Sequence, residues 1–221
     1  MTSSIREDET PFPWGPKMVY AASMSRLPNI LTVFRIVLVP VFAIAYVLPG
    51  DDARLFAFAV FCMAGISDAL DGLAARKLNA GSEFGRMLDP IADKILVGVA
   101  LMMIVAEGTI HQFNLDEGLK GLLKLVPALI ILSREILVSG LREFLAGAAV
   151  SVPVTFLAKI KTTIQMIAIG AMILGPVADR VVPGAQAFAY IALWIAAALT
   201  VATGYVYLRA GLHHTRREKT A

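Results

Sequence analysis

The stretch from Asp68 to Lys94, DALDGLAARKLNAGSEFGRMLDPIADK, decides how this chain is read. It sets Asp68, Asp71, Asp89 and Asp93 within or against two apolar helices. Carboxylates at membrane depth are costly and mark function more often than structure. Asp68 and Asp71 stand i, i+3, and Asp89 and Asp93 stand i, i+4, so each pair shares one face of its helix. The intervening segment 77–84 is short and polar and contains Gly81, so it reads as a tight helix–helix connection. Antiparallel helices joined in this way bring the four carboxylates to one locus near a membrane surface. Four like charges held together need neutralising. Divalent cations that favour hard oxygen ligands, Mg²⁺ or Mn²⁺, answer that need. Two such ions balance four carboxylates, which suits a two-metal phosphoryl-transfer site.

Composition places this stretch in a membrane. The chain has 221 residues, 57% hydrophobic and 17% charged, with a mean hydropathy of +0.72. A soluble domain carries about 45–50% apolar and about 25% charged residues. Apolar windows of about 20 residues recur along the length, the span of a membrane helix. The formal charge is only +3, and the single Cys62 lies in an apolar run, so no disulfide framework is present to read. The polar start MTSSIREDETPFPWGPK has no basic region leading into a short apolar core, so no cleavable signal peptide is expected.

Taken in order, the pattern predicts an all-α, polytopic membrane protein with six spans and no strands. Residues 1–25 form a cytoplasmic tail with a short interfacial helix over 14–26, where Trp14, Met18, Val19 and Tyr20 mix with Lys17 and Arg26. The six-helix domain covers 26–210, and 211–221 is a basic tail. The spans are expected at 28–48, 54–76, 85–105, 122–147, 153–174 and 185–208, with 107–119 an acidic loop. Pro28 suits a helix start, and Pro90 implies that the third helix starts or kinks there.

Orientation follows from the cations. Arg6, Lys17, Arg26, Arg76, Lys77, Arg86, Arg142, Lys159, Lys161 and the basic tail fall on one side. Asp51, Asp52, Glu107, Asp116, Glu117 and Asp179, with fewer cations, fall on the other. The positive-inside rule makes the first side cytoplasmic, with both termini inside, so the aspartates face the cytoplasm.

A purely structural reading would make the aspartates caps and ion-pair partners of Arg76, Lys77, Arg86 and Lys94, but such a role does not need four carboxylates facing one point. Gly72, Ala75 and Gly85 either permit close helix packing or leave room for a nucleotide. Asp68-x2-Asp71-Gly72-x2-Ala75-Arg76-x8-Gly85-x3-Asp89-x3-Asp93 resembles, without a departure, the signature of the CDP-alcohol phosphotransferase family. That resemblance implies a homodimer in which an alcohol attacks the β-phosphorus of a CDP-linked lipid and releases CMP. It also implies two metal ions held by Asp68, Asp71, Asp89 and Asp93, with Asp93 acting as base. Asn29, Thr32 and Arg35 match a first-helix patch near the nucleotide, although a polar helix start explains them equally.

The acceptor is read separately. Arg134, Arg142, Lys159 and Lys161 put four cations on the fourth and fifth spans, with only Glu135 and Glu143 nearby to balance them. Glu135 and Arg142 lie seven positions apart and could pair, yet the surplus remains positive. A phosphate-bearing acceptor fits such a pocket. The stretches PNILTVFRIVLVPVF, SREILVSGLRE and AKIKTTIQ look like the phosphatidylglycerophosphate synthase branch of the family. The branch implies CDP-diacylglycerol and sn-glycerol 3-phosphate as substrates, membrane lipid rather than nucleic acid as surroundings, and the bacterial inner membrane as location. Inositol phosphate or phosphatidylglycerol as acceptor is the enzymatic alternative. An ion-coupled transporter is the alternative from another class, but no second copy of the aspartate motif supplies the internal repeat that such folds show.

Overall fold

A computed structural model describes residues 27–78, 83–109, 115–147 and 156–218. Six helices run through them: α1 (Leu27–Val47), α2 (Asp51–Leu78), α3 (Glu83–Thr109), α4 (Leu115–Gly147), α5 (Phe156–Ala178) and α6 (Ala185–Glu218). No strand occurs among the described residues. The expected interfacial helix over 14–26 lies outside them.

Several helices outrun their expected bounds. α2 starts at Asp51, where Asp51 and Asp52 occupy the first turn and favour the positive end of the helix dipole. The turn before it depends on Gly50, whose φ of 106° lies in the left-handed region. α3 takes the start of the expected acidic loop, to Thr109, and α4 its end, beginning at Leu115 rather than 122. α6 carries the basic tail as helix to Glu218, since that stretch holds no proline to stop it. Pro40, Pro127 and Pro176 sit inside helices, which packed membrane helices tolerate because neighbours satisfy the freed carbonyls.

The inward stripes of α1, α2, α3 and α4 are apolar in the middle with polar residues toward both ends, and that of α6 is polar toward its C-terminal end. On α1 the stripe reads Thr32, Arg35, Val39, Phe42, Tyr46, all buried. On α2 it is Arg54, Ala57, Phe61, Ala64, Asp68; on α3, Asp93, Val97, Ala100, Ile104, Glu107; on α4, Lys124, Ala128, Ile131, Glu135, Val138. On α6 it runs Ala189, Leu193, Ala196, Thr200, Thr203, Tyr207. Alternating steps of three and four residues keep each stripe on one face. Along the axes, the polar ends stand about 16–21 Å apart at 1.5 Å per residue, within a hydrocarbon layer of about 30 Å.

α5 packs along α6, α1 along α2, and α4 along α6 and α3. α2 and α3, expected as direct neighbours, touch little among the described residues; each packs on α1 instead. Buried alanines on α2, α5 and α6 bring backbones close, the usual device where lipid supplies no hydrophobic drive between helices. Every helix also exposes large apolar side chains, such as Ile44, Phe56, Met102, Ile136, Ile167 and Ile191. That surface would be a liability in water and is ordinary against lipid. Among the described residues, 30–47, 160–178 and 185–209 are long and apolar enough to cross a membrane. The described residues form the all-helical bundle of a membrane protein.

The end of the bundle remote from the aspartates is tied by Glu107. Its carboxylate accepts hydrogen bonds from the Tyr46 hydroxyl (2.8 Å) and from Arg54, with Lys124 Nζ at 3.7 Å. The Arg54 guanidinium lies 4.1 Å over the Tyr46 ring. Four helices thus meet on one partly buried carboxylate. Glu107→Ala leaves Arg54 and Lys124 short of their counter-charge and is expected to lower stability by about 2 kcal/mol. Thermal unfolding in detergent checks this; an unchanged midpoint contradicts it.

Candidate active site

The opposite polar ends of α1, α2 and α3 meet around a cavity of about 610 Å³. Arg35 enters from α1, Asp68 from α2 and Asp93 from α3. Asp68 sits at the stripe's edge with its side chain 50% exposed, while Arg35 is fully buried and reaches it, Nη1 to Oδ1, at 2.6 Å. The arginine therefore neutralises an acid that would otherwise face Asp93 unaided. From this charged end the cavity continues between α2 and α5 along Phe58, Met166, Ile167 and Leu174. Gly65 and Gly170 let α2 and α5 approach closely along its wall: a Cβ would stand 2.8 Å from Met166 Cε at the first and 3.2 Å from the Phe58 ring at the second. One cavity thus joins a carboxylate–arginine end to a long apolar wall.

Beside Asp93 lies a second charged cluster, built on α3, α4, α5 and α6. Glu135 occupies an inward position of α4, between Ile131 and Val138. Its Oε1 accepts hydrogen bonds from Lys161 of α5 and, at 3.4 Å, from Arg134 Nη1. Lys94 Nζ of α3 stands 3.7 Å from Oε2. Arg134 is held from the other side by α6: Nε donates to the Thr200 carbonyl (3.1 Å) and Nη2 to Thr203 Oγ1 (2.9 Å). Gly204 makes room for it, since a Cβ there would come within 3.0 Å of Arg134 Cγ. Asp93 is within electrostatic reach of Glu135, Lys94 and Lys161.

The sequence-predicted residues divide accordingly. Arg35, Asp68 and Asp93 share the cavity, and Thr32 is buried one turn before Arg35 on α1. Arg134 and Lys161 are gathered around Glu135. Arg142 is exposed, about 12 Å further along α4 than Arg134. The pairing of Glu135 with Arg142 gives way to Lys161, Arg134 and Lys94, because α5 and α3 present their cations directly to the inward face of α4. Lys94 accordingly serves Glu135. The side chains of Asn29, Asp71, Gly72, Ala75, Arg76, Gly85, Asp89 and Lys159 lie outside the described part of the structure. Among the described residues no three acidic, His or Cys side chains form a metal cluster. Sequence reasoning missed Lys94, Thr200, Thr203 and Gly204 as participants. The available signal was Glu135 itself, an acid at an inward position between Ile131 and Val138.

Comparison with known proteins gives the family. A profile described as CDP-alcohol phosphatidyltransferase matches residues 25–202. A Rickettsia felis protein named CDP-diacylglycerol–glycerol-3-phosphate 3-phosphatidyltransferase is 45% identical over 184 residues, covering 83% of this chain and 94% of its own length. Proteins of the same name from Haemophilus influenzae and Pectobacterium atrosepticum are 38% and 37% identical. They cover 83% and 85% of this chain, and 91% and 95% of their own lengths.

Proposed function

The chain belongs to the CDP-alcohol phosphatidyltransferase family, and on that premise we propose that it moves the phosphatidyl group of CDP-diacylglycerol to sn-glycerol 3-phosphate. The products are phosphatidylglycerophosphate and CMP. The relatives carry the name of that reaction. The observation that supports the reading most directly is the cavity that joins Arg35, Asp68 and Asp93 to the wall of Phe58, Met166, Ile167 and Leu174. Such a cavity suits an amphiphile whose reacting phosphates sit at the charged end and whose acyl chains follow the apolar side. The adjoining cations suit an acceptor that carries its own phosphate.

Asp68, Asp71, Asp89 and Asp93 would hold two divalent ions, Mg²⁺ or Mn²⁺, in this reading. Asp68 and Asp93, two hard oxygen donors on one cavity, fit such ions. When bound, they neutralise charge on the phosphoryl oxygens. Arg35 holds one oxygen of Asp68 and so fixes that carboxylate's orientation. Asn29, Thr32, Arg35, Gly72, Ala75, Arg76 and Gly85 form the side that receives the CDP-lipid. Arg134, Arg142, Lys159 and Lys161 receive the acceptor phosphate. As the acceptor hydroxyl oxygen bonds to the β-phosphorus, Asp93 takes its proton. The bond to the α-phosphate oxygen breaks and its electron pair leaves with CMP.

All six helices cross the membrane in this proposal, within a domain over 26–210, and the chain works as a homodimer. The two polar layers support crossings by α1, α2, α3 and α4, and the length and apolarity of α5 and α6 support the other two. The site opens to the cytoplasm and the inner leaflet of a bacterial inner membrane, the side on which the charge pattern puts its cations.

Purified protein in detergent, given CDP-diacylglycerol and Mg²⁺, is expected to release CMP with glycerol 3-phosphate. Inositol 3-phosphate, serine and phosphatidylglycerol should each leave it near background. Release with a different acceptor alone overturns the acceptor assignment. In the same assay Asp93→Asn should lose about 10²–10⁴-fold in turnover while eluting as a single folded species. Near-normal turnover would remove the base role.

A further inference from the structure

Glu135 is a charge at an inward position of a membrane helix, with a side chain only 13% exposed. An isolated carboxylate there would be strongly unfavourable. Three cations from three helices answer it: Lys94 of α3, its neighbour Arg134 on α4, and Lys161 of α5. The exchange is more than neutral: three positive groups surround Glu135, and one positive charge remains in surplus even when Asp93 beside them is counted. A phosphate monoester carries about −1.5 to −2 at neutral pH.

The donors are not exhausted by these contacts. A guanidinium has five N–H groups, and Arg134 uses one each on the Thr200 carbonyl, Thr203 Oγ1 and Glu135. Lys161 places one of three ammonium hydrogens on Glu135. The Thr203 hydroxyl donates its own hydrogen to the Leu199 carbonyl at 2.8 Å. Its lone pairs are thereby turned to Arg134. Gly204, one residue on, leaves the space that the arginine stem fills. Arg134 is thus fixed from both sides, by Glu135 within the bundle and by the Thr200–Gly204 turn of α6, while Lys161 and Lys94 are held by Glu135. Fixing them beforehand lowers the entropy lost when a ligand binds.

We propose that Glu135 and Thr203 are positioning residues for the acceptor: they hold Arg134, Lys161 and Lys94 together as a preformed seat for the phosphate of glycerol 3-phosphate beside Asp93. This rests on the acceptor reading given above and adds to it the two side chains that build the pocket without themselves carrying positive charge.

The test compares KM for glycerol 3-phosphate with KM for CDP-diacylglycerol in the full-length protein, using Lys161→Ala, Glu135→Gln, Glu135→Asp and Thr203→Val. Lys161→Ala should raise KM for glycerol 3-phosphate and not that for the CDP-lipid. Glu135→Gln keeps the shape and removes the charge, and should raise KM for glycerol 3-phosphate about tenfold, the scale of one lost charge-assisted hydrogen bond. KM for CDP-diacylglycerol should stay within about twofold, because that substrate's cavity does not include Glu135. Glu135→Asp should recover part of the loss. Thr203→Val should shift the same constant in the same direction, and it decides the matter if Glu135→Gln fails to fold. An unchanged or lowered KM for glycerol 3-phosphate in Glu135→Gln and Thr203→Val overturns the proposal, as does an equal rise in both constants. If Lys161→Ala also leaves it unchanged, the acceptor pocket itself is wrong, and the positioning role falls with it. If Lys161→Ala behaves as stated and the other two do not, only the positioning role falls.

Discussion

Charge inside an apolar bundle has to be answered by opposite charge, and that requirement organises the molecule. Glu107 and Glu135 lie at partly buried positions near opposite ends, and each gathers cations from other helices. Glu107 joins α1, α2, α3 and α4; Glu135 joins α3, α4 and α5, and reaches α6 through Arg134. Between them the stripes are alanine, valine, isoleucine and phenylalanine. Ion pairs of this kind add less to net stability than their Coulomb energy suggests, because desolvation offsets the attraction. Their clearer effect is to set axial register, since sliding one helix by a turn would part several pairs at once.

The two ends do different work with the same physics. At the Glu107 end Tyr46, Arg54 and Lys124 close around the acid. At the other end the balance is left open. Asp68 is half exposed despite its arginine, Asp93 faces the same cavity, and the Glu135 cluster carries positive charge to spare. Negative and positive surpluses lying side by side suit two ligands of different kinds: cations with a CDP-lipid, and a phosphate-bearing acceptor. Under the proposed function, the apolar wall of the cavity would let the lipid remain partly in the bilayer while its phosphates reach the carboxylates.

Much of this could be read from the chain itself. Helical spacing put Asp68 and Asp71 on one face and Asp89 and Asp93 on another, and Arg134 and Lys161 stood out as cations in apolar spans. Other features depended on partners that no local pattern names. Arg35 read as part of a first-helix patch near the nucleotide or of a polar helix start, and neither reading showed its ion pair with Asp68, 33 positions away. Glu135 had an apparent partner in Arg142 on its own helix face, and lost it to cations brought in by α3 and α5. Glu107 read as the start of a loop because the acidic run 107–119 looks soluble, yet it ties four helices. Thr203 and Gly204 are unremarkable in sequence and matter only because Arg134 lies against them. Periodicity shows which face turns inward; it does not show which side chain waits on the other side.

The central claim is that chemistry is confined to the end where Asp68 and Asp93 meet. Anomalous diffraction from crystals grown with Mn²⁺ and CDP-diacylglycerol tests it most directly. The account predicts Mn²⁺ bound to carboxylate oxygens of Asp68 and Asp93, with the lipid's phosphates against the metal. Mn²⁺ at the Glu107 end, or the lipid's phosphates bound away from these aspartates, would contradict it.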